Sequence, residues 1–174
     1  LGAACPTVRA ALNVRGDVTT LPTFEVITPS EVDTENITAQ LTWEKNKDIV
    51  VGVKLLQGGR LEIDGATEVR YQNLIIGSQG LQNGIMRKGS GSVLITGDGA
   101  LYSNDPTSIP PQYEGTGFAS DGSVARPANV GFDVLVGEWG QGRLDIRGEG
   151  RAEIQDAVVV GYHPGSSGVL TVDG

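Results

Sequence analysis

A chain of 174 residues with 26 glycines, few aromatics and a formal charge of −8 has the material for one ordinary domain but little that builds helices. The acidic balance argues against nucleic acid and anionic membrane surfaces as main partners, since both favour a basic patch. No run approaches the ~18 apolar residues of a membrane span, and Cys5 stands alone, which excludes a disulfide framework or thiolate metal cluster.

No charged leader followed by a long apolar stretch opens the chain, so any signal peptide is expected to have been removed already. Leu1-Gly2-Ala3-Ala4-Cys5 is similar to a bacterial lipoprotein cleavage site, but four residues precede the cysteine. A small buried residue or an inter-subunit thiol is the expected role of Cys5. Residues 1–48 carry no full repeat. Ala10–Gly16 reads as a worn copy of the glycine-flanked strand described below, and Thr23–Ile27 and Ile37–Trp43 alternate as strands do. The segment is expected either to cap a stack of repeats, as repeat proteins require, or to dock on a neighbouring molecule.

From residue 49 a two-part pattern recurs four times. One part is an apolar triplet closed by glycine: Ile49–Gly52, Leu74–Gly77, Val134–Gly137 and Val158–Gly161. The other is Gly-x-Leu/Val-x-Ile/Val-x-Gly, at Gly59–Gly65, Gly91–Gly97, Gly142–Gly148 and Gly168–Gly174. The closing glycines lie 25 residues apart (52 to 77) and 24 apart (137 to 161), a spacing characteristic of repeat architectures. In Gly59–Gly65, Leu61 and Ile63 point one way and Arg60, Glu62 and Asp64 the other, which is the alternation of a half-buried strand. Val93/Ile95, Leu144/Ile146 and Leu170/Val172 repeat it. A third short stretch, around Val69 and Tyr71, Leu101, and Ala152 and Ile154, completes about three strands per period. Reading down the copies, no outward column sets like charges side by side, which would be destabilising.

The stretch Val158-Val159-Val160-Gly161-Tyr162-His163-Pro164-Gly165-Ser166-Ser167-Gly168-Val169-Leu170-Thr171-Val172-Asp173-Gly174 resembles the short repeat of type V-secreted autotransporter passengers and of exosortase-sorted (PEP-CTERM) bacterial surface proteins. The resemblance covers residues 49–97 and 134–174, about half the chain. It implies a right-handed β-helix on, or released from, the bacterial surface.

Residues from about 102 to 130 interrupt the third copy with Pro106, Pro110, Pro111 and Pro127 among Ser, Asn, Asp and Gly, and read as an irregular side loop. Asp98, Asp105, Glu114 and Asp121 have neither EF-hand nor nonapeptide calcium-repeat spacing, so solvated carboxylates are expected. His163 is the only histidine and reads as an exposed turn residue. Glu62 and Asp145 share an outward column with Leu94 between them, an arrangement with no paired carboxylates for polysaccharide cleavage. No catalytic, cofactor or metal residue is therefore assigned.

Two features point to association. The chain stops at Gly174 on a well-formed repeat strand, an open edge that invites another strand. The triplets are apolar throughout; with their first and third residues inward, Val50, Ile75, Leu135 and Val159 form an outward apolar column, expected either to mark a contact surface or to be covered by residues 1–48 or the side loop. The expected fold is an all-β, short right-handed β-solenoid of about four to five rungs, with a 1–48 cap or docking segment and repeats over 49–174. The expected function is self-assembly of secreted subunits, head to tail or laterally, into a bacterial filament, sheath or appendage. Leu12, Val14, Val50, Ile75, Leu135, Val159, Leu170 and Val172 are the assembly candidates. The alternatives are an adhesin or passenger fragment whose side loop binds a cell-surface glycan, and a polysaccharide-acting enzyme.

Overall fold

The structure, a computed structural model, describes residues 10–21, 25–26, 41–44, 48–52, 58–82, 85–103, 117–118, 124–125, 133–155 and 157–174. Among these the chain is all-β, with nineteen strands and no helix. In chain order they are β1 (Ala10–Arg15), β2 (Val18–Leu21), β3 (Glu25–Val26), β4 (Leu41–Glu44), β5 (Asp48–Val51), β6 (Gly59–Gly65), β7 (Thr67–Tyr71), β8 (Leu74–Ile76), β9 (Gln79–Gln82) and β10 (Ile85–Lys88). There follow β11 (Ser90–Ile95), β12 (Ala100–Ser103), β13 (Gly117–Phe118), β14 (Val124–Ala125), β15 (Val134–Val136), β16 (Gln141–Arg147), β17 (Arg151–Glu153), β18 (Val158–Val160) and β19 (Ser167–Asp173).

Three sheets carry the repeat, in the orders β1-β6-β11-β16-β19, β18-β15-β8-β5-β2-β3 and β17-β12-β7-β4. Each copy, β4–β5–β6, β7–β8–β11, β12–β15–β16 and β17–β18–β19, gives one strand to each sheet, and every pairing between copies is parallel. Parallel neighbours follow because each copy crosses the other two sheets before returning to the first in the same direction. The register is the one the glycine spacing predicts: Leu61, Val93, Leu144 and Leu170 are partners, as are Ile63, Ile95, Ile146 and Val172.

The glycines that close the triplets turn the chain from one sheet to the next with positive φ, 82° at Gly52 and 71° at Gly77. Both also pack against the following copy: a Cβ on Gly77 would overlap the backbone carbonyl of Gln141. These corners need both the left-handed backbone and the missing side chain.

Several boundaries differ from the sequence reading. β4 pairs in parallel with β7, so Leu41–Glu44, before residue 49, already belong to the repeat. β12 runs through Ser103, which returns Tyr102 and Ser103 from the side loop to the repeat. Of the strand expected over Thr23–Ile27, Glu25–Val26 is described and is a strand; Thr23, Phe24, Ile27, Cys5, Asp105, Glu114 and Asp121 lie outside the described residues. β1 carries the expected inward residues, but it pairs antiparallel to β6, with Leu12 opposite Ile63 and Val14 opposite Leu61. β2 is likewise antiparallel to β5. β1 and β2 thus lie antiparallel on β6 and β5, while β4 is the edge strand of the third sheet.

The side-loop excursion leaves and rejoins at one place. Ser103 Oγ donates to Asp133 Oδ2 at 2.7 Å, and the Gln155 amide donates to both side chains. In the copy before, the same step from Tyr71 to Leu74 takes only two intervening residues. Replacing 104–132 with a short glycine linker is therefore expected to leave thermal unfolding cooperative and the circular dichroism strand-like. Loss of the transition would make the excursion part of the core.

One cluster fills the space between the sheets, with Leu12, Val14, Ile49, Val51, Leu61, Ile63, Leu74, Ile76, Ile95, Val134, Val136 and Leu144 among its buried members. Leu144 is fully buried, so Leu144→Ala should cost about 2–5 kcal/mol in denaturant unfolding, the range for buried leucines. A cost near zero would remove Leu144 from the core.

Candidate functional site

The assembly candidates separate into three groups. Leu12 and Val14 are buried in the main cluster, so only the backbone edge of β1 is left for a partner. Val50, Ile75 and Leu135 stack in a column as predicted, but they are buried within the single chain, in a second cluster completed by Ala157, Val159 and Tyr162. Of the two expectations for this column, bare or covered, the covered one holds at these three positions; Val159 alone is half-exposed. Leu170 and Val172 form the third group. Both were expected to be buried, yet they are 40% and 71% exposed, because among the described residues β19 has a neighbour on one side only. Val160 and Val169, at the same edge, are 44% and 43% exposed.

The outward columns hold their register, but their charges pair along strands. Arg143 Nε bonds Asp145 Oδ2 at 2.6 Å, and Arg147 reaches the same carboxylate at 3.5 Å instead of engaging Asp173 on the next strand. The hydrogen bond from Arg143 holds the Asp145 carboxyl below its ordinary value. Arg60 pairs with Glu62, and Thr96 donates to Asp64 at 2.9 Å across copies.

A second constellation lies where the triplets turn into the next strand. Ser78 and Glu138 each follow a closing glycine, in adjacent copies, and the Ser78 hydroxyl donates to Glu138 Oε2 at 2.5 Å. Both residues are buried, and burial pushes the Glu138 carboxyl up to about 7 against the opposing effect of the Ser78 hydrogen bond. One residue further on, Trp139 stacks on His163 with ring centroids 3.5 Å apart, and Tyr162 meets the same imidazole edge-on. His163 is thus half-buried in an aromatic stack, not a free turn residue, and its burial lowers the imidazole pKa. The repeat register alone could have shown these pairs, because the residues stand at equal offsets from Gly77, Gly137 and Gly161.

A polar cluster also marks the corner before the triplets. Asn73 Nδ2 donates to Asp48 Oδ1 at 2.5 Å. The buried Tyr71 hydroxyl is kept protonated by burial and by the charge of Asp133. Among the described residues no group of three or more His, Cys, Asp or Glu is placed to hold a metal ion. No family model, curated protein or solved structure matches the chain.

Proposed function

We propose that this chain is a secreted structural protein of the bacterial surface. Its copies would form a short right-handed β-solenoid, the hand that parallel crossover connections take, and add a further rung at an open edge. One observation carries the reading. The residues equivalent to Leu170 and Val172 are fully buried at β6 and almost fully at β11, whereas at β19, flanked among the described residues by β16 alone, they are substantially exposed. Such an edge is completed by another strand of the same register.

A second copy supplying that strand gives a filament or sheath. At a head-to-tail junction β19 would meet the free edge of β1 antiparallel, since β1 runs opposite to β6. Further repeats of the same polypeptide would satisfy the edge equally, the arrangement implied by the resemblance to autotransporter passengers and by the adhesin reading. The reading includes no catalysis: Ser78 and Ser103, the described serines bonded to a carboxylate, are both buried and beyond the reach of a substrate.

Light scattering and negative-stain microscopy at rising concentration separate the two sources of the strand. Self-assembly predicts mass that grows with concentration and a monomeric Val172→Asp variant. The substitution falls on an exposed side chain, so folding stability should change by only about 0.5 kcal/mol or less. A wild-type chain that stays monomeric throughout would reject assembly and leave the longer-polypeptide reading.

A further inference from the structure

We infer that His163 is an acid-operated latch on the turn between β18 and β19, holding that turn against the preceding copy only while its imidazole is neutral. The latch is built in one column. Trp139 and His163 stand at the same offset from Gly137 and Gly161, and β15 and β18 are register partners, so the two rings meet across adjacent copies. Their centroids are 3.5 Å apart and their planes 14° from parallel, while Tyr162 makes a second ring contact at 4.6 Å. The main chain follows the ring. The His163 amide donates to the Glu138 carbonyl at 3.0 Å, and the His163 carbonyl accepts from the Ser166 amide and hydroxyl. The Ser167 amide donates to the Gly140 carbonyl at 2.9 Å, and Lys88 Nζ, from β10, donates to the Gly165 carbonyl at 3.0 Å. β19 begins where this set of bonds ends, at Ser167.

The packing suits one protonation state. His163 Nε2 is buried and has no hydrogen-bond partner among the described residues. A neutral imidazole can leave that nitrogen bare, whereas an imidazolium carries an N–H on both nitrogens. The added N–H would be buried without an acceptor. The indole face attracts a cation, but it lies to one side of the imidazole plane and the N–H points within that plane. The surrounding ionisable groups supply no acceptor either. Glu138 turns its carboxyl to Ser78, Lys88 is committed to Gly165, Arg87 beside it on β10 is a donor only, and β18 carries no ionisable side chain. Burial alone lowers the imidazole pKa. Protonation is relieved when the ring turns out to water, which parts it from Trp139 and frees the turn.

His163 is the only histidine, so its ring protons can be followed by NMR in the dilute full chain from about pH 8 to about pH 5. The ring should titrate below the ordinary 6.5, and the Trp139 indole N–H should shift with the same midpoint. Hydrogen-exchange protection of the Ser166 and Ser167 amides should fall by about tenfold or more over that step, with β6 unaffected. His163→Phe, which keeps a flat ring in the column without a proton to gain, should hold the turn at both ends of the range. His163→Ala should leave it loose at both, with circular dichroism unchanged. Titration at or above 6.5, a Trp139 signal indifferent to it, protection lost equally from β6, or an acid response that persists in His163→Phe would overturn the latch. These signals come from single chains, so they are independent of whether the protein assembles.

Discussion

Gly91→Ala is expected to destabilise the chain by more than about 4 kcal/mol, in the range reserved for severe core disruption. The methyl group would overlap the backbone carbonyl of Val51 and crowd the amide of Gly77, in two different copies. Neither obstacle is a flexible side chain. Each is main chain held by parallel pairing between copies, so relief requires adjacent copies to part. Gly148 is the control. It has positive φ, 59°, but nothing within 4 Å of an added Cβ, so Gly148→Ala carries only the backbone cost of about 1–2 kcal/mol. Urea unfolding of the two variants should rank them far apart. Equal midpoints, or a larger loss at Gly148, would show that close packing between copies does not govern stability.

Stability is expected to fall as pH rises from about 5 to 8, and Glu138 should be the cause. Its folded-state pKa, about 7, lies above the ordinary 4.5 because the carboxyl is buried, so the folded chain holds a proton that the unfolded chain has released. The stabilisation is complete below 4.5 and is lost as pH rises through about 7. At about 1.4 kcal/mol per pH unit, this interval amounts to about 3 kcal/mol. His163, lowered by burial, contributes with the opposite sign as pH falls through the ordinary histidine range. The decisive quantity is therefore the difference between wild type and Glu138→Gln, which keeps a neutral partner for Ser78. The variant should lose the decline attributable to Glu138, and a decline of unchanged size would assign the pH dependence elsewhere.

Much of the strand framework was legible before any coordinates, because it rests on local rules. Period-two alternation sets which face of Gly59–Gly65 turns inward, and repeated glycine spacing sets the partners of Leu61 and Ile63 in later copies. The same spacing placed Val50, Ile75 and Leu135 in one column. What it did not supply was the environment of each face. Whether that column is bare or buried depends on packing beyond its own strands, and at Val50, Ile75 and Leu135 it is buried. Glu138 owes its burial and its hydrogen bond to Ser78, 60 residues earlier. The antiparallel course of β1 and β2 was equally hidden, since alternation is identical in both strand directions. Leu170 and Val172 carry the same sequence signal as Leu61 and Ile63, but only the latter have a neighbour on either side. Alternation and spacing are properties of single strands and of the repeat, and the sequence determined them. Burial, the strand direction of β1 and β2 and the ionisation of Glu138 belong to contacts between distant segments, and only the tertiary structure decided them.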